Sequence, residues 1–211
     1  MNRSHHISLG RTARGTARRP QITRLTILLL VICWGALTWS IGWPAGAVLA
    51  TDDVDVLEHR VKAAYLYKFA GYVEWPAESF AGPDTPVTIA VVGADPLAAE
   101  LVQAVTGRTV NDRTVTARHL KPGDSLAGVH VLFIGKSESG RLNQLAQTAQ
   151  SRSILTVTDL EGALTRGSVI NFIVVDRRVR FEISMESAEK SGLKLSSRLL
   201  AVAQQVRTGT P

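Results

Sequence analysis

Two short runs, Val87–Val92 and Val129–Ile134, constrain this chain most. The first reads Val-Thr-Ile-Ala-Val-Val and the second is apolar apart from His130. A strand with apolar residues at both parities is covered on both faces, which is the habit of parallel strands flanked by helices. Each run ends at a glycine, Gly93 or Gly135, and a helical segment follows. Strand, glycine turn and helix in repetition predict an α/β fold. The expectation is a single three-layer domain, with a mostly parallel sheet, an antiparallel edge hairpin and flanking helices.

The rest of the chain fits that frame. Val54–Tyr72 reads as a long amphipathic helix, with Val54, Leu57, Val61, Tyr65, Leu66 and Phe69 at helical spacing and Asp52 or Asp53 as its cap. It stops before Glu74-Trp75-Pro76, because a residue preceding proline avoids the helical region. Asp95 and Pro96 predict the N-cap and first position of a helix reaching about Val105. Strands are expected at Thr114–Leu120 and Ile154–Thr158, with a turn at Lys121–Asp124 and a helix near Gly140–Gln150. Val169–Val175 and Val179–Ile183 predict a hairpin around Asp176-Arg177-Arg178. Met185–Gln205 reads as helical with a break at Gly192.

Charge divides the chain sharply. The formal net charge is +6, from 24 Lys and Arg against 18 Asp and Glu. Residues 1–50 contain six arginines and no acid, so residues 51–211 carry 18 charges of each sign. A balanced body argues against a nucleic-acid-binding domain. The basic start, the uncharged stretch Leu25–Trp43 and the small residues up to Ala50 form the layout of a secretory signal peptide over residues 1–50. Cleavage is expected after Ala50, with Ala47 as the alternative; an uncleaved inner-membrane anchor is the competing reading. Either way residues 51–211 are expected in the periplasm. The single cysteine, Cys33, lies in the leader, so the body holds no disulfide, thiol nucleophile or cysteine metal site.

The familiar catalytic signatures fail on inspection. Gly135-Lys136-Ser137 suggests a phosphate loop, but the glycine required five residues earlier is replaced by His130. Ser137-Glu138-Ser139-Gly140 suggests a nucleophile elbow, but Ser139 stands where glycine is needed. His59, His119 and His130 do not pair at zinc-ligand spacing. No catalytic residue, metal or cofactor is therefore assigned. Two surfaces remain of interest. Ligands in such sheets sit beyond the strand C-termini, which makes Gly93, Asp95, Gly135 and Ser137 a candidate ligand edge. Tyr67 and Trp75, off the buried face of the first helix and at its exit, are candidate anchors of a protein interface. Glu74 and the hairpin arginines Arg177, Arg178 and Arg180 are candidates to join them.

Longer stretches carry a resemblance. Lys62-Ala63-Ala64-Tyr65-Leu66-Tyr67-Lys68-Phe69 with Val73-Glu74-Trp75-Pro76 resembles the opening signature of the YfiR-like proteins. Gly167–Phe172, Arg178–Ile183 and Ala188–Leu200 resemble its closing signature, so the likeness covers about residues 56–207. It implies a periplasmic, non-catalytic regulator of a kind that tends to self-associate, with a homodimer as the expected form. Its partner would be the periplasmic domain of an inner-membrane signalling protein, either a diguanylate cyclase or a sensor kinase. The type member represses a cyclase and lowers cyclic di-GMP and biofilm formation. A small-ligand sensor acting with a sensor kinase is the alternative. Members with paired cysteines can respond to redox state; with no cysteine in residues 51–211, a disulfide switch of that kind is excluded here.

Overall fold

The computed structural model describes residues 49–209. The expected leader and its cleavage sites therefore lie outside the described residues, save Leu49 and Ala50, which are helical. Helix α1 spans Leu49–Ala70. It begins earlier than its apolar periodicity predicts, so Asp52 and Asp53 lie within it and not at its cap. A two-residue strand β1 (Val73–Glu74) and a 3-10 turn at Ala77–Ser79 follow. Then come β2 (Val87–Val92), α2 (Asp95–Val105), β3 (Thr109–Val110), β4 (Arg113–Leu120) and β5 (Val131–Ile134). A 3-10 segment at Lys136–Arg141 runs into α3 (Leu142–Gln150), followed by β6 (Leu155–Thr158) and a 3-10 turn at Ala163–Arg166. The chain closes with β7 (Ile170–Val175), β8 (Arg178–Ser184), α4 (Met185–Lys190), β9 (Lys194–Leu195), α5 (Ser197–Val202) and β10 (Gln205–Arg207).

Eight strands form one sheet in the order β10-β8-β7-β6-β5-β2-β4-β3. The five central strands β4, β2, β5, β6 and β7 are parallel. Numbered along the chain they run 2-1-3-4-5, the doubly wound order whose switch point lies between the first and third strands. Here those strands are β2 and β5. The fold is thus mixed α/β with a mostly parallel sheet, as the sequence predicts. The antiparallel β7–β8 hairpin does not end the sheet, because β10 pairs in parallel beyond β8.

Alternation along the buried strands assigns the two faces. Ile89, Val91, Val131, Phe133, Leu155 and Val157 face one core with Leu66 and Phe69 of α1 and Leu97 and Leu101 of α2. Ala90, Val92, Leu132 and Ile134 face a second core with Leu142 and Ala149 of α3. An aromatic cluster fastens α1 to the hairpin: Phe69 lies 5.7 Å from Phe172 and 5.0 Å from Phe181, and Tyr65 stacks on Phe69 at 5.7 Å.

Met185–Gln205, predicted as helical with a break at Gly192, breaks there and also yields two short strands, β9 and β10. Ser184 and Ser196 accept from Ser187 N–H and Leu199 N–H and cap two separate short helices. Gly192, at φ +67°, turns the chain between them. The intervening β9 pairs with β1, so the exit of α1 is tied to the segment between α4 and α5. Asp95 is likewise not a cap. Ala94 occupies that position, and the Asp95 carboxylate instead meets His119 Nε2 at 3.0 Å.

Candidate functional site

The switch point brings the predicted ligand-edge residues together and also fills the space between them. Gly93 ends β2 at φ +73°, a conformation that favours glycine. Ser137 Oγ donates to Gly93 O at 3.1 Å, locking the two loops. A Cβ on Gly135 would collide with the Gly93 carbonyl, and one on Gly93 would lie 2.7 Å from Ser137 Oγ. The crevice between β2 and β5 is therefore closed by backbone. Ser137 spends its proton on a carbonyl, and among the described residues no hydrogen bond joins it to a histidine or carboxylate. His119 is engaged by Asp95, while His130 lies at the other end of the strands.

Beside that edge sits a buried ion cluster. Lys62 of α1, 4% exposed, places Nζ 2.8 Å from Asp159 Oδ2 and 2.7 Å from Glu58 Oε1. Its ammonium also lies 6.0 Å from the Phe172 ring centroid. Burial pulls the Lys62 pKa down, but the hydrogen bonds its ammonium donates to Asp159 and Glu58 outweigh that and hold it above the ordinary lysine value. Burial pushes Glu58 up, and Lys62 outweighs that and holds it below the ordinary carboxylate value. Next to Asp159, the Asn171 side-chain oxygen accepts from Thr158 Oγ1 at 2.8 Å and Leu160 N–H at 3.0 Å. Glu58 is legible as an i,i+4 partner of Lys62; Asp159 is placed by the sequence at the strand C-terminal edge, but its pairing with Lys62, 97 residues away, has no local signal.

The opposite, N-terminal edge of the sheet holds Trp75. Its ring is edge-on to Phe80 and to His130, with centroids 6.2 and 6.1 Å away. His130 stacks on Phe80 at 4.4 Å, and the Arg113 guanidinium lies 4.1 Å from the Phe80 centroid. Trp75 is half-buried and its Nε1 is buried without a hydrogen-bond partner. It is a packing residue rather than a protruding anchor.

The remaining interface candidates scatter. Glu74 is exposed and pairs in register with Lys194 across β1–β9. Arg177, Arg178 and Arg180 are exposed on the hairpin, whose turn lies past the C-terminal end of β6. The turn is two residues, Asp176 and Arg177, at φ +50° and +57°, so Arg178 already belongs to β8. The hairpin and Trp75 thus occupy opposite ends of the strands. Tyr67 lies on a third surface, where its hydroxyl donates to Thr109 O at 3.0 Å. Among the described residues no cluster of three or more His, Cys, Asp or Glu is placed to hold a metal ion. No described helix is long and apolar enough to cross a membrane.

The described residues form a mixed α/β domain whose switch-point loops meet as backbone. The sequence matches the YfiR/HmsC-like family over residues 59–204, and the chain belongs to that family. The family is one of periplasmic regulators of diguanylate cyclase signalling and not of catalysts. Among solved structures, a conserved domain protein from Vibrio cholerae O1 biovar El Tor str. N16961 is similar at a TM-score of 0.47 and 11% identity. The likeness covers 57% of this chain and 54% of that one, so the chain spans about half its length.

Proposed function

We propose that this protein restrains a membrane-bound diguanylate cyclase by binding its periplasmic domain, and so lowers cyclic di-GMP. The observation that carries this reading is the family match across nearly the whole described domain. The absence of a joined nucleophile and base at Ser137 among the described residues agrees with a role in binding. Restraint requires tighter association with the inactive state of the cyclase than with the active one. The exposed arginines of the hairpin and the exposed Glu74 are available for contact. Trp75 acts from beneath, holding the segment after α1.

The test pairs the protein with the periplasmic domains of the membrane-bound diguanylate cyclases of its own organism. We expect a saturable complex by calorimetry, and a rise in cellular cyclic di-GMP when the gene is deleted. Charge reversal at Arg177, Arg178 and Arg180 together should weaken the complex several-fold without changing the fold, by loss of electrostatic complementarity. Unchanged cyclic di-GMP on deletion, with no complex formed, would overturn the reading.

A further inference from the structure

We infer that the groove between α1 and α2 docks an acidic segment of a partner protein. This deepens the regulatory reading and rests on it only for the identity of the partner. The groove begins as a cleft of about 390 Å³ lined by Arg60, Ala64, Tyr67, Lys68, Ala104 and Arg108, among others. Ala64 and Ala104 keep it open, because neither side chain extends beyond Cβ. A shallower depression of about 280 Å³ shares Tyr67 and Lys68 and continues past Gly71 to Tyr72 and Asn111. From Arg60 to Tyr72 the helix rise gives a run of roughly 18 Å, the length of five or six extended residues.

The charge of the groove selects its occupant. Three cations, Arg60, Lys68 and Arg108, face one carboxylate on its wall, Glu100. Glu100 is already used by Arg60, at 3.2 Å. Lys68 and Arg108 enter no ion pair among the described residues. In a body whose charges otherwise cancel, this is a local excess of positive charge on a partly apolar surface. The cationic groups are also pre-ordered. Tyr67 is fixed by its hydrogen bond to Thr109 O, and the Arg108 guanidinium lies 5.1 Å from the Tyr67 centroid. Its N–H groups are then free to face a carboxylate. The exposed Leu57, one turn before Arg60 on the same helix face, extends the apolar contact. A bare anion does not use the alanine floor, and an apolar peptide does not use the cations. A segment alternating acidic and apolar residues uses both.

The experiment titrates isotope-labelled mature protein with a capped hexapeptide of glutamate and leucine, and with its lysine-for-glutamate counterpart. We expect amide shifts centred on Ala64, Lys68, Ala104 and Arg108 with the acidic peptide alone. We expect affinity to fall roughly threefold or more as salt rises from low to physiological. Lys68→Glu with Arg108→Glu should weaken binding by about tenfold or more. Ala64→Trp, on an exposed helical position, should weaken it by filling the groove while leaving the charges in place. Equal binding of the lysine peptide, shifts centred elsewhere, or indifference to both variants overturns the proposal. So does sedimentation showing that the double charge variant loses a dimer which the parent forms, since the occupant is then a second copy. If the cyclase domain binds parent and double variant equally, the groove is not its dock and the proposal fails while the regulatory reading stands. If that domain binds neither, the regulatory reading fails, and the peptide arm alone decides the groove.

Discussion

Lys62 shows how one residue can hold three elements. Its ammonium joins α1 to the loop after β6 and lies near a ring of β7, all out of water. Burying a charge is unfavourable, and the two carboxylates offset that cost only while both signs are present. Asp159 is itself largely buried, and its Oδ1 has no hydrogen-bond partner, so it depends on Lys62 through Oδ2. Lys62→Met should therefore destabilise the domain by roughly 3 kcal/mol, the usual consequence of removing one member of a buried pair. Adding Asp159→Asn should recover part of that loss, because the stranded charge is gone. Urea unfolding of the two variants measures both, and a Lys62→Met cost within about 0.5 kcal/mol of zero excludes a buried-pair role. The pH dependence follows the same pair. The Lys62 pKa is raised on folding, so its contribution is complete below the ordinary lysine value of 10.5 and is lost as pH rises through the folded value. The Glu58 pKa is lowered, so its part is complete above 4.5 and is lost in acid as pH falls through the folded value.

At the scale of elements, the switch-point loops meet as bare backbone. Gly135 has an ordinary φ of −83°, so its requirement is for space, not for a left-handed conformation. The atom that a Cβ would strike is the Gly93 carbonyl, which is fixed by β2 and cannot swing aside. Gly135→Ala should cost about 2–4 kcal/mol by overpacking, whereas Gly140→Ala, with nothing within 4 Å of its Cβ, should stay within about 0.5 kcal/mol. Equal melting temperatures for the two variants would refute the close approach. These loops also mark how far the sequence can be read. The β-branched runs, glycine turns and hairpin were legible because each is a local pattern of burial or backbone freedom. β1, β3, β9 and β10 are two or three residues long, too short for periodicity to register. Met185–Gln205 reads as helical because its apolar spacing is helical, and its break at Gly192 was legible as backbone freedom; the caps at Ser184 and Ser196, which compete locally with helix propensity, were not. The candidate sites fared differently for the same reason. Gly93 and Gly135 could be paired through the switch-point rule, a rule of topology. Grouping Trp75 with Arg177–Arg180 had no such rule behind it, and the sheet separates them.

Across the whole molecule, the N-terminal edge of the sheet is closed by one histidine. His130 Nδ1 accepts from Thr88 N–H at 3.2 Å, and Nε2 donates to Ser79 O at 3.1 Å, so the neutral ring ties β2 to the segment that follows Trp75. Arg113 pins the same segment from β4 by donating to the carbonyls of Gly82, Pro83 and Thr85. Protonation of Nδ1 would remove an acceptor and place a second cation beside Arg113. Burial, opposed by the Ser79 carbonyl and reinforced by Arg113, accordingly holds the His130 pKa below the ordinary 6.5. Because the folded pKa is depressed, the unfolded chain binds more protons near and below 6.5. Stability from this group is complete above 6.5 and is lost progressively as pH falls from there through the folded value. The contribution of Glu58 is lost only below 4.5, so the two effects occupy separate windows. The urea midpoint should thus fall between pH 7.5 and pH 5, with emission from Trp75, the tryptophan of the described domain, reporting the transition. His130→Phe keeps the stack on Phe80 but leaves Ser79 O and Thr88 N–H without their ring partners, so it should lose roughly 1–3 kcal/mol at neutral pH while flattening the slope over that interval. A variant as pH-sensitive as the parent would show that the acid response arises elsewhere. A flattened slope would assign the acid response over that interval to His130 and its ties to Thr88 and Ser79.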